Sequence, residues 1–377
     1  MKATEKKFRV VIAGGGTGGH LFPGLAIAEE IEKRWPAEIV FIGTDYGIES
    51  KVLPGTHYRL KKIWMRGLRR KITPGNLLFP LRLMISLVQC ALFFLLFRPD
   101  VIIGTGGYVS GPALMAGLTL GIHTVIQEQN SYPGLVNRLL GKWVDQVHIT
   151  YADSRPYFAK QPHVYLSGNP LRQNLKGVEK AQALKLFNLK SNQITLLVFG
   201  GSQGAHAINL AILECLDNLM KIPELQILWS TGQNDFELIK SKCRNFADRI
   251  RVFPFIENMA AAYAVADFVV SRAGAMTLAE ITYCGLPAIL IPYPFAAEGH
   301  QEFNARTLEK AGAARVILEK NLNGRVLCEA IQKLAQDHQT RRAMAEASQR
   351  LARPDAARCI VNGIARLINV QSSAHFL

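Results

Sequence analysis

Phe8-Arg9-Val10-Val11-Ile12-Ala13-Gly14 runs straight into Gly15-Gly16-Thr17-Gly18-Gly19-His20, an apolar stretch that ends in glycines and continues as a helical pattern. The near-continuous apolar run predicts a strand buried on both faces. The glycines permit positive φ angles and close backbone approach, and a helix N-terminus adds unpaired N–H groups and partial positive charge. The same theme recurs along the chain. EIVFIGT (38–44), DVIIGT (100–105), HTVIQEQ (123–129), DQVHIT (145–150) and VYLSG (164–168) predict further strands, with helices such as Leu25–Trp35 and Gly134–Trp143 between them. ITLLVFG (194–200), LQILWSTG (225–232), RVFPFI (251–256), ADFVVSRAG (266–274) and PAILIPYP (287–294) repeat the pattern. Such alternation predicts an α/β protein of parallel sheets covered on both faces.

At 377 residues the chain exceeds what one core organises, so two doubly wound, Rossmann-like domains are expected, 1–168 and 169–354, joined near Gly168-Asn169-Pro170. Ligands are then expected at the carboxyl ends of strands, in a cleft between the domains. The last helical stretch, within 355–377, either completes the second domain or packs back on the first. Periodicity leaves both open.

Lys and Arg number 44 against 29 Asp and Glu, a net charge of +15 that suits an anionic partner. The six cysteines are scattered, with no C-x-x-C pair, which argues against a secreted disulfide scaffold or a structural zinc site and fits a reducing cytosol. No nucleic-acid motif accompanies the basic residues. The start of the chain carries no signal-peptide pattern.

Other strand ends carry chemistry too. Gly104-Thr105-Gly106-Gly107-Tyr108 and Gly200-Gly201-Ser202-Gln203-Gly204-Ala205 are further glycine loops, and Glu280 follows a fourth strand end at 271–279. Gly14, Gly16 and Gly19 satisfy G-x-G-x-x-G, so a dinucleotide oxidoreductase stands as one reading, with Asp45 near the place for a ribose-binding acid. Three glycine-rich ends in two domains suit two phosphate-bearing ligands better than one dinucleotide. Glu280 is placed to take two ribose hydroxyls, and the cluster Glu298–Ala305, with Gln301, suits sugar hydroxyls.

GGGTGGH (14–20), GGYVSGP (106–112), QEQN (127–130), GNPLR (168–172), GGSQGA (200–205), GAMTLAE (274–280), GLPAILIPYP (285–294) and HQEFNA (300–305) stand in order and cover most of the chain. In these segments the chain resembles the MurG family, bacterial N-acetylglucosaminyltransferases of peptidoglycan synthesis. The resemblance implies a GT-B fold and inverting transfer of GlcNAc from UDP-GlcNAc to undecaprenyl-linked lipid I, giving lipid II. It implies that Thr17, Gly18 and Gly19 border the sugar diphosphate and that Asn130 reaches the GlcNAc. Arg172 and Ser202 would serve the diphosphate side, and Ile256 would read uracil through its backbone. Ala275, Met276, Thr277, Leu278 and Ala279 would line the nucleotide, Glu280 the ribose and Gln301 the sugar. Gly106, Gly107 and Tyr108 would belong to the acceptor site. Gln127 and Gly299 depart from the family pattern, which often has a histidine and an acid there. A transferase of the same fold with another lipid acceptor is the nearest competitor.

Inverting transfer needs a base for the acceptor hydroxyl and a counter-charge for the departing diphosphate. His20, kept neutral by the positive field of a helix N-terminus, is the favoured base, and Glu128 the other candidate. The chain contains no Asp-x-Asp, so neither a metal nor another cofactor is expected, and the positive features of the protein must serve the diphosphate. From Lys51 through Arg98 there is no acid at all. Arg59, Lys61, Lys62, Arg66, Arg69, Arg70 and Lys71 precede the apolar run Leu83–Phe97, a combination suited to the anionic cytoplasmic face of a membrane. As a helix that run would reach roughly 22 Å, short of a ~30 Å hydrocarbon core, so a core or membrane-facing helix is expected rather than a span.

Overall fold

The computed structural model describes residues 7–67, 77–171, 175, 177–201 and 203–368. The chain divides into two compact units, Met1–Arg172 with Arg353–Leu377, and Gln173–Ala352. Among the described residues thirteen strands form two sheets, both wholly parallel, one in each unit.

The first sheet has the order β3-β2-β1-β4-β5-β6-β7. Its strands are β1 Phe8–Gly14, β2 Ala37–Gly43, β3 Arg59–Lys62, β4 Val101–Gly106, β5 His123–Glu128, β6 Gln146–Ile149 and β7 Val164–Leu166. The second has the order β10-β9-β8-β11-β12-β13. It is built from β8 Ile194–Phe199, β9 Leu225–Ser230, β10 Ile250–Phe253, β11 Phe268–Ser271, β12 Ala288–Leu290 and β13 Ala314–Val316. In each unit the chain winds outward from a central strand, returns, and winds out the other way. The reversal falls between β1 and β4 in the first unit and between β8 and β11 in the second, where the connecting loops diverge and leave a crevice.

Branched and aromatic residues fill both faces. Val10, Ile12, Phe41 and Ile103 pack under the helix Gly18–Glu32 on one side, and Val11, Ile42, Ile102 and Ile126 meet Leu114 and Phe94 on the other. Leu196, Ile227, Trp229 and Phe268 fill the corresponding place in the second unit.

One expectation changes here and one left open is decided. The apolar helix begins at Phe79, not Leu83, and spans 19 residues, long and apolar enough by length and composition to cross a membrane. Its Ser86, Cys90 and Phe94 are buried against the first sheet, which makes it a surface helix with one packed face. The final helix, Ala356–Leu367, packs on Gly18–Glu32 through Ile360, Val361 and Ile364, as part of the first unit.

That helix also covers a buried histidine. The Gln146 amide donates to Gly363 O at 3.0 Å, and Gly363 abuts the ring of His148, which hydrogen-bonds Ser167 at 2.7 Å. Burial, with Arg366 adding to it, pushes His148 down to about 3. Between that value and the ordinary 6.5 the unfolded chain binds a proton that the folded chain refuses, so stability rises with pH across the window and falls on acidification. We expect thermal melts to drop on going from pH 7 to pH 4.5, by a few kcal/mol at most for this group, and His148→Gln to flatten that slope.

Candidate functional site

At the first switch point β1 ends in the loop Gly14–Thr17, and β4 ends in Gly106, Gly107 and Tyr108. His20 lies in the first turn of the helix Gly18–Glu32. Its Nδ1 stands 3.2 Å from Gly15 O and 3.1 Å from the Thr17 hydroxyl. A carbonyl oxygen only accepts, so Nδ1 is placed to carry the hydrogen, and in a neutral ring the lone pair then lies at Nε2. Gly106 and Gly107, at φ +102° and +78°, close over the ring: a Cβ on Gly106 would lie 2.8 Å from His20 Cδ2, and one on Gly107 2.6 Å from Gly15 O. No β-carbon fits there.

Tyr108 packs its ring on Gly16, and Thr105 donates its hydroxyl to His20 O at 2.8 Å. The structure thus brings Thr17, Gly18, Gly19, His20, Gly106, Gly107 and Tyr108 into one crevice.

Glu128, at the end of β5, is fully buried and takes four donors. Asn130 N and Nδ2 give to Oε1 at 2.8 and 3.1 Å, and Gly134 N and Asn137 Nδ2 give to Oε2 at 3.0 and 2.8 Å. Burial raises its pKa and the four hydrogen bonds oppose the rise. A carboxylate with both oxygens so engaged has no lone pair left for a substrate hydroxyl. Its place is to orient Asn130, and the proton-transfer alternative for Glu128 falls. Gln129 ties this loop to the crevice, its amide donating to Thr105 O at 2.6 Å and also to the Gln127 side chain.

In the second unit the crevice lies between the ends of β8 and β11. The helix Ala275–Cys284 starts there from Gly274. Glu280 Oε2 accepts from the Tyr263 hydroxyl at 2.8 Å, and burial, then the Glu280 charge, holds that phenol protonated as the donor. Gln301 Oε1 accepts from Ala273 N at 3.2 Å and Tyr293 N at 2.9 Å, so its oxygen is spent on two strand ends and the amide NH2 is what it offers a ligand. Ile256 follows β10 with its side chain buried, leaving only its backbone to a ligand.

Ala275, Met276, Thr277 and Ala279 are placed around the helix start with Glu280. Leu278 is not suited to nucleotide contact: its side chain is fully buried and its N–H already donates to Gly274 O at 3.0 Å. The loop Gly200–Gly204 interlocks with Gly232, over a network in which Trp229 donates to Asn209 and Asn209 donates to Thr231 O and Asp235. Arg172 and Ser202 lie outside the described residues.

The dinucleotide reading needed an acid on the ribose after β2. Asp45 is exposed and ion-paired with Lys62 at 2.6 Å, and the other nearby acid, Glu49, is buried beneath the glycine loop. Neither is presented to a ribose. Sequence reasoning passed over Glu49, Gln129, Asn209 and Tyr263. A glycine before an acid at 47–49 was the available signal for the first; the others had none.

The family models and the curated relatives agree on one family. Residues 10–149 match the glycosyltransferase family 28 N-terminal domain and residues 195–360 its C-terminal domain. A relative from Geobacter sulfurreducens is 44% identical over 356 residues, 94% of this chain and 97% of the relative. One from Desulforamulus reducens is 42% identical over 367 residues, 96% and 99% of the two chains. Both are named UDP-N-acetylglucosamine–N-acetylmuramyl-(pentapeptide) pyrophosphoryl-undecaprenol N-acetylglucosamine transferase. The crystal structure of Acinetobacter baumannii MurG superposes with a TM-score of 0.79 at 27% identity, covering 96% of this chain and all of that one.

Proposed function

The chain belongs to glycosyltransferase family 28, with the two α/β units of a GT-B fold, and from that premise we propose that it transfers GlcNAc from UDP-GlcNAc to undecaprenyl-diphospho-MurNAc-pentapeptide, lipid I, to give lipid II. The observation that carries this reading is that both switch points are prepared for it. One holds an imidazole with its lone pair at Nε2, and the other holds a carboxylate and an amide already oriented by Tyr263 and by two backbone N–H groups.

In the reaction His20 Nε2 takes the proton of the MurNAc 4-hydroxyl while that oxygen bonds to the anomeric carbon from the face opposite UDP. The bond from the anomeric carbon to the diphosphate oxygen breaks with its electron pair, so configuration inverts. Glu280 binds the ribose, Gln301 donates to the sugar, and Ala275, Met276 and Thr277 supply first-turn N–H groups to the nucleotide side. Asn130, Thr17, Gly18 and Gly19 serve the sugar diphosphate, with Gly106, Gly107 and Tyr108 on the acceptor. Arg172 and Ser202 complete the counter-charge for the leaving group.

We assign the enzyme to the cytoplasmic face of the membrane as a peripheral protein. The helix Phe79–Phe97 turns Leu81, Met84, Val88, Leu92, Leu95 and Leu96 outward, all more than half exposed. Cations stand beside that surface, Arg82 over Trp64 at 5.5 Å and Lys61 over Phe93 at 5.6 Å. Arg69, Arg70 and Lys71 lie outside the described residues. Apolar insertion flanked by basic residues is what an anionic lipid face rewards, at about 1 kcal/mol per well-placed cation. Leu92→Glu with Leu95→Glu is expected to weaken binding to phosphatidylglycerol vesicles more than ~10-fold, measured by sedimentation, with turnover of a short-chain acceptor retained. Undiminished vesicle binding would remove this helix from the contact.

The activity itself is tested with purified protein, labelled UDP-GlcNAc and a lipid I analogue in the presence of EDTA. Lipid II product is expected, with UDP-GalNAc a poor donor. Activity lost in EDTA and restored by one divalent metal would contradict a leaving group neutralised by the protein alone.

A further inference from the structure

The first glycine loop rests on an acid that the reaction as described does not use. Glu49 is fully buried. Its Oε2 accepts from Gly16 N at 2.9 Å, and its Oε1 accepts from Thr44 N at 2.9 Å and the Thr44 hydroxyl at 3.0 Å. Gly15, Gly43 and Gly47 all face the carboxyl end of this side chain, and a Cβ on any of them would strike it, at 2.6 Å in the case of Gly15. Three residues without side chains around one buried carboxylate indicate a position the loop is built to reach.

The peptide group between Gly15 and Gly16 is one planar unit. Its N–H donates to Glu49, and its C=O accepts from His20 Nδ1 at 3.2 Å. Acid and imidazole are therefore joined by two hydrogen bonds through a single amide. We infer that Glu49 is a positioning residue for His20, acting through this peptide group as the acid of a hydrolase triad acts directly on its histidine. The inference rests on the reading of His20 as the base.

The physical effect has two parts. A carboxylate on the amide N–H polarises the peptide, makes its carbonyl a stronger acceptor, and so strengthens the bond to Nδ1–H. That bond keeps the lone pair at Nε2 and favours the imidazolium that forms when Nε2 takes the acceptor proton. The same carboxylate fixes the plane of the peptide and with it the direction of the Gly15 carbonyl. Glutamine cannot replace it. All three of its partners are donors, and an amide NH2 in place of either oxygen would set donor against donor.

The test is a double-variant cycle on the full chain. Glu49→Gln is expected to lower kcat ~10–100-fold and to leave KM for UDP-GlcNAc within a few-fold, because the ribose and the nucleotide are read as held by the other unit. In a His20→Ala background the same substitution is expected to change kcat by less than about twofold, since the group it acts through is gone. An equal penalty in both backgrounds assigns Glu49 to structure alone and overturns the inference, and so does an unchanged kcat in the single variant. Near-normal turnover of the His20→Ala enzyme would remove the base reading itself, which that single variant reports before Glu49 is touched. Melting temperature and UDP affinity monitor folding. Should Glu49→Gln not fold, Glu49→Asp, which keeps the charge but draws the oxygens back by one methylene, is carried through the same cycle with the same two outcomes.

Discussion

Replacing His20 with alanine is expected to lower kcat by ~10²–10⁴-fold, the usual worth of a positioned general base, while KM for UDP-GlcNAc stays within a few-fold. The split follows from where the groups sit. His20 belongs to the first unit, and the groups read as holding the ribose and the nucleotide, Glu280 with Ala275, Met276 and Thr277, belong to the second. Stability should change little, because the ring is only half-buried. Steady-state rates at saturating donor and acceptor, with a melting curve on the same preparation, measure both. An alanine enzyme that keeps a tenth or more of the wild-type kcat would take the base role from His20.

Gly107→Ala is expected to cost about 10²-fold in kcat, although it adds a single methyl group. Two effects act together. The residue sits at φ +78°, where an L side chain costs about 1–2 kcal/mol. The new Cβ would also lie 2.6 Å from Gly15 O and 3.1 Å from His20 Nδ1, a wedge in the bond that sets the tautomer. Either the ring or the Gly15 carbonyl must move, and both belong to the base. Donor KM is again expected to hold. Gly55→Ala, whose Cβ would meet nothing within 4 Å, serves as the control and should be silent. A Gly107→Ala enzyme as active as that control would show that the glycine pair does not confine the imidazole.

The architecture was legible wherever burial on both faces left a continuous apolar run, as at Val10–Ala13 and Thr195–Phe199. It was not legible at β3, Arg-Leu-Lys-Lys, an edge strand with its polar side chains turned out, or at the three residues of β13. Neither carries a period that a single sequence can display. The site divides the same way. Glycine loops and a helix-borne acid announce themselves because few other arrangements need them.

Glu49 does not, since an acid at the start of a short helix reads as a solvated one until the fold closes Gly15, Gly43 and Gly47 around it. Tyr263 lies unmarked in Met-Ala-Ala-Ala-Tyr-Ala-Val, and only the turn of the neighbouring helix brings Glu280 to its hydroxyl. Glu128 shows the converse. In sequence it looked able to move a proton, and four donors from the loop and short helix that follow it make it an anchor.

The return of Ala356–Leu367 to the first unit makes the second unit an insertion within it. For dissection by expression, the two halves are therefore unequal. Residues 175–352 form one uninterrupted fragment and can be cut out as such. A gene stopped near 171 would strip from the helix Gly18–Glu32 the cover that Ile360, Val361 and Ile364 give it and leave an oily strip facing water. A soluble first half calls for a splice, with 353–368 sewn directly behind 171 by a short linker.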